Sequence, residues 1–345
     1  MPLPDASGQV VAHVKWFSDF DFGDAPRSFG DLFTPTIIGL VVASVVVIAA
    51  LVLIDRRLDG LSWYGGINDW LSAHQDHSDI IIRAAMAAVL IVSWENRALL
   101  TPELEEPAAW VGWLQFALAI ALLIPRSARW AGAGIGVLWL IGVFEYGAFH
   151  MLDYLHYVGI ALYINLATHP KEHLRGIALP ALYSTVGFAL IWLGFEKLVY
   201  PEWALFVLEE NPGILLGLDP EFFLEGAAFV EISLGFLLII GLLERPLAAI
   251  ITLVFFTTTL IFGRIEVVGH TPLHAALVVF LLRGPGNFYK PPIEVHNRMP
   301  LKVAFAAVNF VIVVSLIGAA YTASANEQFN DEVSQDALEG STVQQ

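Results

Sequence analysis

The chain has 345 residues, 57% of them hydrophobic and only 14% charged, with a mean hydropathy of +0.68. A water-soluble domain carries roughly a quarter charged residues, so a soluble globular fold is excluded. The net charge of −16 would repel phosphate and argues against nucleic acid, and the absence of cysteine excludes disulfides, thiolate metal sites, iron–sulfur clusters and persulfide chemistry on the protein itself.

Residues 1–34 are acidic and aromatic (WFSDFDFGD) and lack a basic region followed by an apolar core, so no cleavable leader is expected and the first helix directs insertion. Apolar stretches of about 20 residues then recur along the chain, each long enough to cross a bilayer as a helix. The expected fold is an all-α polytopic membrane protein with ten spans: 36–54, 79–99, 108–125, 130–148, 152–168, 178–199, 222–243, 246–264, 269–283 and 302–322. The breaks carry turn chemistry, as in IPRSARW, THPKEHLRG, LLERPL and RGPGNFYKPP.

Loop 55–78 contains WYGGINDWLSAHQDH, which reads either as a short helix lying at the membrane interface on Trp63, Tyr64 and Trp70, or as a plain structured loop. Arg56, Arg57, Arg83, Arg126, Arg129, Lys171, Arg175, Arg245, Arg283, Lys290, Arg298 and Lys302 all fall in or beside loops that follow odd-numbered spans. The positive-inside rule makes those loops cytoplasmic, in the cell membrane, and both termini extracytoplasmic. The opposite side is acidic: TPELEEP, the long loop 200–221, and a polar tail, 323–345, whose composition predicts disorder. Such an acid excess suits a very salty, halophilic setting, or is an acidic surface with no special bearing.

The chain repeats itself. Laying 79–168 over 178–283 puts Trp94-Glu95-Asn96 on Phe195-Glu196-Lys197, Pro102-Glu103 on Pro201-Glu202, Gln115 on Glu231, Arg126 on Arg245 and His156 on His274. The even number of spans per unit gives both copies one orientation. The expected architecture is therefore two tandem four-helix units, 79–170 and 178–284, with an extra helix at each end (36–54 and 302–322).

The apolar helix ending in GFEKLVYP, followed by a Glu-bearing span and a small-residue span, resembles the DoxX-like family of integral membrane proteins. The resemblance is best in 178–283, weaker in 79–168, and absent from the first and last helices. It implies four-helix units and association with membrane oxidoreductase complexes, among them a thiosulfate:quinone oxidoreductase, DoxD. No functional residue carries over from the family, and the lack of cysteine keeps sulfur chemistry off this chain.

Ionisable groups at membrane depth are expensive and mark candidate sites. Glu231 lies about nine residues into its span, roughly 14 Å deep at 1.5 Å per residue. It reads as a proton relay or polar ligand contact, or as a protonated hydrogen-bond donor between helices, like its counterpart Gln115. His150, Asp153 and His156 are spaced by three and His270 and His274 by four, so each set shares a helix face. Glu196, Lys197 and Arg264 are expected at the same outer level. Three readings stay open for these groups: a divalent metal site; a haem or quinone contact using His156, His274 and Glu231; or ion pairs and histidines that tie helix ends together.

For the whole chain, the first reading is a membrane subunit or quinone-reactive partner of a redox complex. The alternative is a non-enzymatic scaffold or small-solute transporter, with the acidic loop 200–221 as a docking surface. WAGAGIGVLWLIG (130–142) reads as a close-packing helix, not a nucleotide loop, and Thr257–Thr259 as groups that bond back to helix carbonyls.

Overall fold

The computed structural model describes residues 24–58, 60–262, 264–284 and 291–342, and the side chains of these except 258–262, 264–266 and 335–342. The chain is all-helical, with 82% helix, twelve α-helices and no strand among the described residues. They are α1 Pro35–Leu58, α2 Ser62–Ala73, α3 His77–Glu95, α4 Ala109–Leu123, α5 Ala128–Met151, α6 His156–Leu166, α7 Glu172–Val199, α8 Pro201–Glu210, α9 Pro220–Ile240, α10 Glu244–Phe262, α11 Arg264–Arg283 and α12 Met299–Thr342.

Six of these are long and apolar enough to cross a membrane: α1, α3, α5, α7, α9 and the Met299–Ser334 part of α12. The chain is thus a multi-pass membrane protein. In α1 the apolar run closes on Arg56 and Arg57, cations that suit the negative end of the helix dipole. Asp219 caps α9, accepting from Phe222 N at 3.1 Å, with Pro220 preset in the first turn and Gly241 (φ 70°) turning the chain at the other end. A Cβ on Gly241 would stand 2.3 Å from Pro291, so close packing as well as the positive φ demands glycine there.

Neighbour follows neighbour around the molecule: α3 packs on α4, α4 on α5, α5 on α6 and α6 on α7. Then α7 packs on α9, α9 on α10, α10 on α11, and α11 returns to α3. The helices at the two ends of the chain, α1 and α12, pack on each other beside α7 and α9. The tightest crossing is α7 on α9, where Gly187 and Gly235 face each other: a Cβ on either would lie 2.5 or 2.3 Å from the other's carbonyl oxygen. The small-residue helix α5 uses Gly132 in the same way, with Ala161 O only 2.9 Å from where a Cβ would stand.

The sequence reading of two segments is revised, and in a third, one of its two alternatives is found. Loop 200–221 contains a helix, α8, whose Trp203 donates to Asp24 Oδ2 at 2.8 Å. The tail, expected to be disordered from 323 onward, continues α12 as helix to Thr342. Propagating an existing helix costs little once its nucleus is formed, and Asn326 Nδ2 donates back to Thr322 O at 2.6 Å. Residues 55–78 hold helix α2 and the first residues of α3. The N-terminal segment 1–23 and residues 285–290 lie outside the described residues.

Candidate functional site

Helix α7 brings Lys197 and helix α9 brings Glu231 to one point, where Lys197 Nζ donates to Glu231 Oε2 at 2.8 Å. Both side chains are largely buried, 10% and 26% exposed, and Lys197 Nζ also reaches Leu193 O at 3.4 Å. The pair forms the polar end of a cavity of about 590 Å³. The rest of its lining is apolar: Leu40 of α1, Val207 and Leu208 of α8, Ile214 and Leu218 of the connection, Phe222, Phe223, Gly226 and Val230 of α9, and Val254 and Phe255 of α10. This is the size of a pocket that encloses a small organic ligand, with a single donor–acceptor pair to orient it. Segment 200–221, an acidic loop by its sequence, thus contributes apolar residues to the cavity wall.

The sequence-predicted site residues whose side chains are described fall into four groups. Glu231 and Lys197 share the cavity. His270 and His274 stand behind its wall: the His270 ring stacks on Phe255 at 4.5 Å and 8°, while His274 meets Phe255 edge-on at 6.0 Å and Phe256 at 4.8 Å. His156 is fully buried within electrostatic reach of His270, and neither of its ring nitrogens has a hydrogen-bond partner. The Asp153 backbone lies near that ring without meeting hydrogen-bond geometry. Among the described residues no histidine lines the apolar cavity.

His150 belongs elsewhere. Its Nε2 pairs with Glu103 Oε1 at 2.6 Å, both side chains nearly buried, at the wall of a second, polar cavity of about 420 Å³ that Glu145, Tyr146, Gln328 and Glu332 also line. A break in α5 at Gly147 (φ 81°, ψ 156°) shapes this cleft. Asp153 and Glu196 are buried near Tyr321 of α12, whose ring packs on Trp192 at 4.6 Å and Phe149 at 5.1 Å. The side chain of Arg264 lies outside the described residues.

Gln115, the counterpart of Glu231, is fully buried and does a different task. It accepts from Leu100 N at 2.9 Å and donates to Ala98 O at 2.8 Å, pinning the turn after α3 where Arg97 and Leu100 adopt positive φ. Asn96, the counterpart of Lys197, caps its own helix by donating to Val92 O. Asn96 and Gln115 thus form no pair like Lys197–Glu231.

Among the described residues no three His, Asp or Glu side chains converge as a metal site would require. Phe255 and Glu103 are the participants that the sequence pattern does not single out for a site. Phe255 lies in an apolar run indistinguishable from core, and Glu103 stands in the sequence only as half of a repeated Pro-Glu. Comparison with known proteins finds no matching family model, no matching curated protein and no matching solved structure, so the cavity and its ion pair are the basis on which function is argued.

Proposed function

We propose that this chain binds a quinone-class amphiphile in the Lys197–Glu231 cavity and serves as a membrane subunit or quinone-reactive partner of a redox complex. The single observation carrying this reading is a buried donor–acceptor pair at the end of an otherwise apolar cavity of about 590 Å³. The chemistry is complementary: the Lys197 ammonium donates to a quinone carbonyl, and the Glu231 carboxylate accepts from a quinol hydroxyl. The pair is neutral overall, which favours a neutral head group over an anionic or cationic one. The apolar lining accepts a ring or chain and keeps water from it.

The ten-span, doubly repeated architecture is part of the proposal, with both termini extracytoplasmic in the cell membrane. In it the helices α4, α6, α10 and α11 complete two like-oriented units, α3–α6 and α7, α9–α11, of the DoxX-like kind. Two features support it. The order of helix neighbours is the same in both halves, α6 meeting α7 as α11 meets α3. Arg129 Nε donates to Asn165 O at 3.1 Å and Arg245 Nε to Leu281 O at 2.9 Å, each across 36 residues. On the proposed repeat, that shared bond favours Arg129 over Arg126 as the partner of Arg245. Carried up the helix without a gap, the same offset sets His156 opposite Pro272, not His274.

The test is titration of the purified chain in nanodiscs with a short-chain benzoquinone. Saturable binding that is lost in Gly226→Phe supports the reading, and no saturable binding to the native chain overturns it. Gly226 lines the cavity with nothing within 4 Å of an added Cβ, so a larger side chain there starts from open space and occupies the cavity. A transporter is the second reading, favoured by the non-helical Gly147 inside α5. That break sits near the helix end rather than its centre, which places this reading behind.

A further inference from the structure

Helix α2 has two unlike sides. At about 100° per residue, Trp63, Ile67 and Trp70 fall on one stripe and Ser72 on the opposite one. The first three are exposed, at 59, 49 and 62%. The other side is fastened to the bundle by Arg245 at the start of α10: Nη1 donates to Asn68 O at 3.1 Å and Nη2 to Ser72 Oγ at 2.8 Å. The same guanidinium bonds Leu281 O and Leu282 O at the end of α11. Helix α2 is thus held in one rotational setting, with its indoles turned away from the protein.

We infer that α2 lies in the head-group boundary of the bilayer, with Trp63, Ile67 and Trp70 inserted among the phospholipids. The occupant follows from the chain. α1 crosses the membrane, and α2 starts four residues after its end, so it cannot leave the membrane surface by more than about 14 Å. The outward faces of α1 are apolar to that end, with Leu53 and Ile54 exposed, so the lipid that covers α1 continues onto α2. Exposed Arg56 and Arg57 stand at the junction, where a cation meets the phosphates. Indole rings prefer this layer because one edge is apolar and the N–H is wet.

The experiment uses the full chain, whose lack of cysteine allows single spin labels without removing native thiols. W63C, I67C, W70C and the control S72C are labelled and reconstituted in phosphatidylcholine/phosphatidylglycerol vesicles, and power saturation is measured with oxygen and with a water-soluble nickel chelate. The inference expects oxygen access to exceed nickel access at 63, 67 and 70, and neither reagent to reach 72. Nickel access at 63, 67 and 70 would overturn it by placing the face in water. Shielding from both reagents would overturn it by placing the face against protein, such as a second copy. Independently of these variants, tryptophan fluorescence of the native chain and of W63F/W70F is compared in vesicles of lipid brominated near the head group. The fraction of tryptophan emission quenched is lower in the variant than in the native chain if the two indoles lie in that layer, and an equal fraction contradicts it.

Discussion

Replacing Lys197 by Met leaves Glu231 facing an apolar cavity without its cation. At the observed 2.8 Å the attraction is about 6 kcal/mol at an effective dielectric near 20. Removing one partner of a fully buried pair costs roughly 3–5 kcal/mol, chiefly because a charge is left uncompensated. Glu231 keeps 26% of its side chain exposed, so water recovers part of this, and about 2–3 kcal/mol is expected. The double variant Lys197→Met, Glu231→Leu removes both charges and should return to within about 1 kcal/mol of the native chain. Reversible unfolding in mixed micelles, titrated with a denaturing detergent and followed by circular dichroism, measures all three. If the single variant loses less than about 0.5 kcal/mol, or the double is no more stable than the single, the pair is not the coupled element described here.

Gly235→Val drives a side chain into the α7–α9 crossing, where a Cβ already lies 2.3 Å from Gly187 O, and should cost about 1–3 kcal/mol or more in the same unfolding assay. Gly226→Phe should abolish quinone binding at a cost in stability smaller than that of Gly235→Val, because its Cβ meets nothing within 4 Å. Glu244, at the α9–α10 turn, has its carboxyl pushed up to about 8 by burial first and then by Asp55, with Glu294 adding to this and Arg245 opposing it. Its folded value is above the ordinary one, so the stability it contributes is full below about pH 4.5 and is lost as pH rises through about 8. Glu244→Gln should therefore stabilise the chain at pH 8 by on the order of 1–4 kcal/mol and hardly at pH 4, as read from unfolding midpoints at the two pH values.

How much of this is legible in the sequence depends on the range of the interaction. Apolar runs and their charged ends are local signals, and they place helices well: 36–54 is found as Pro35–Leu58 and 178–199 as Glu172–Val199. Composition alone misjudges the tail, since NEQFNDEV lacks an apolar stripe yet extends a helix that tertiary contacts already support, with Tyr200 OH donating to Ala325 O at 3.5 Å. Glu231 and Lys197 each stand out as charges in apolar context, but their pairing depends on the rotation of α9 against α7. The small-residue contacts of Gly187 and Gly235 set that rotation. The histidines show the converse. Their spacing predicts shared helix faces, but the turn between Met151 and His156 puts His150 at the end of α5, Asp153 in the turn and His156 at the start of α6, while His270 stacks on Phe255.

The most direct test of the central claim is an experimental map of the chain reconstituted in nanodiscs with a long-chain quinone. The account predicts elongated density filling the space between Phe222, Val254 and Phe255, with its head within hydrogen-bond reach of Lys197 Nζ and the Glu231 carboxylate. A cavity closed by collapse of α8 onto α9, or one in which the Lys197–Glu231 pair faces only side chains, would contradict it.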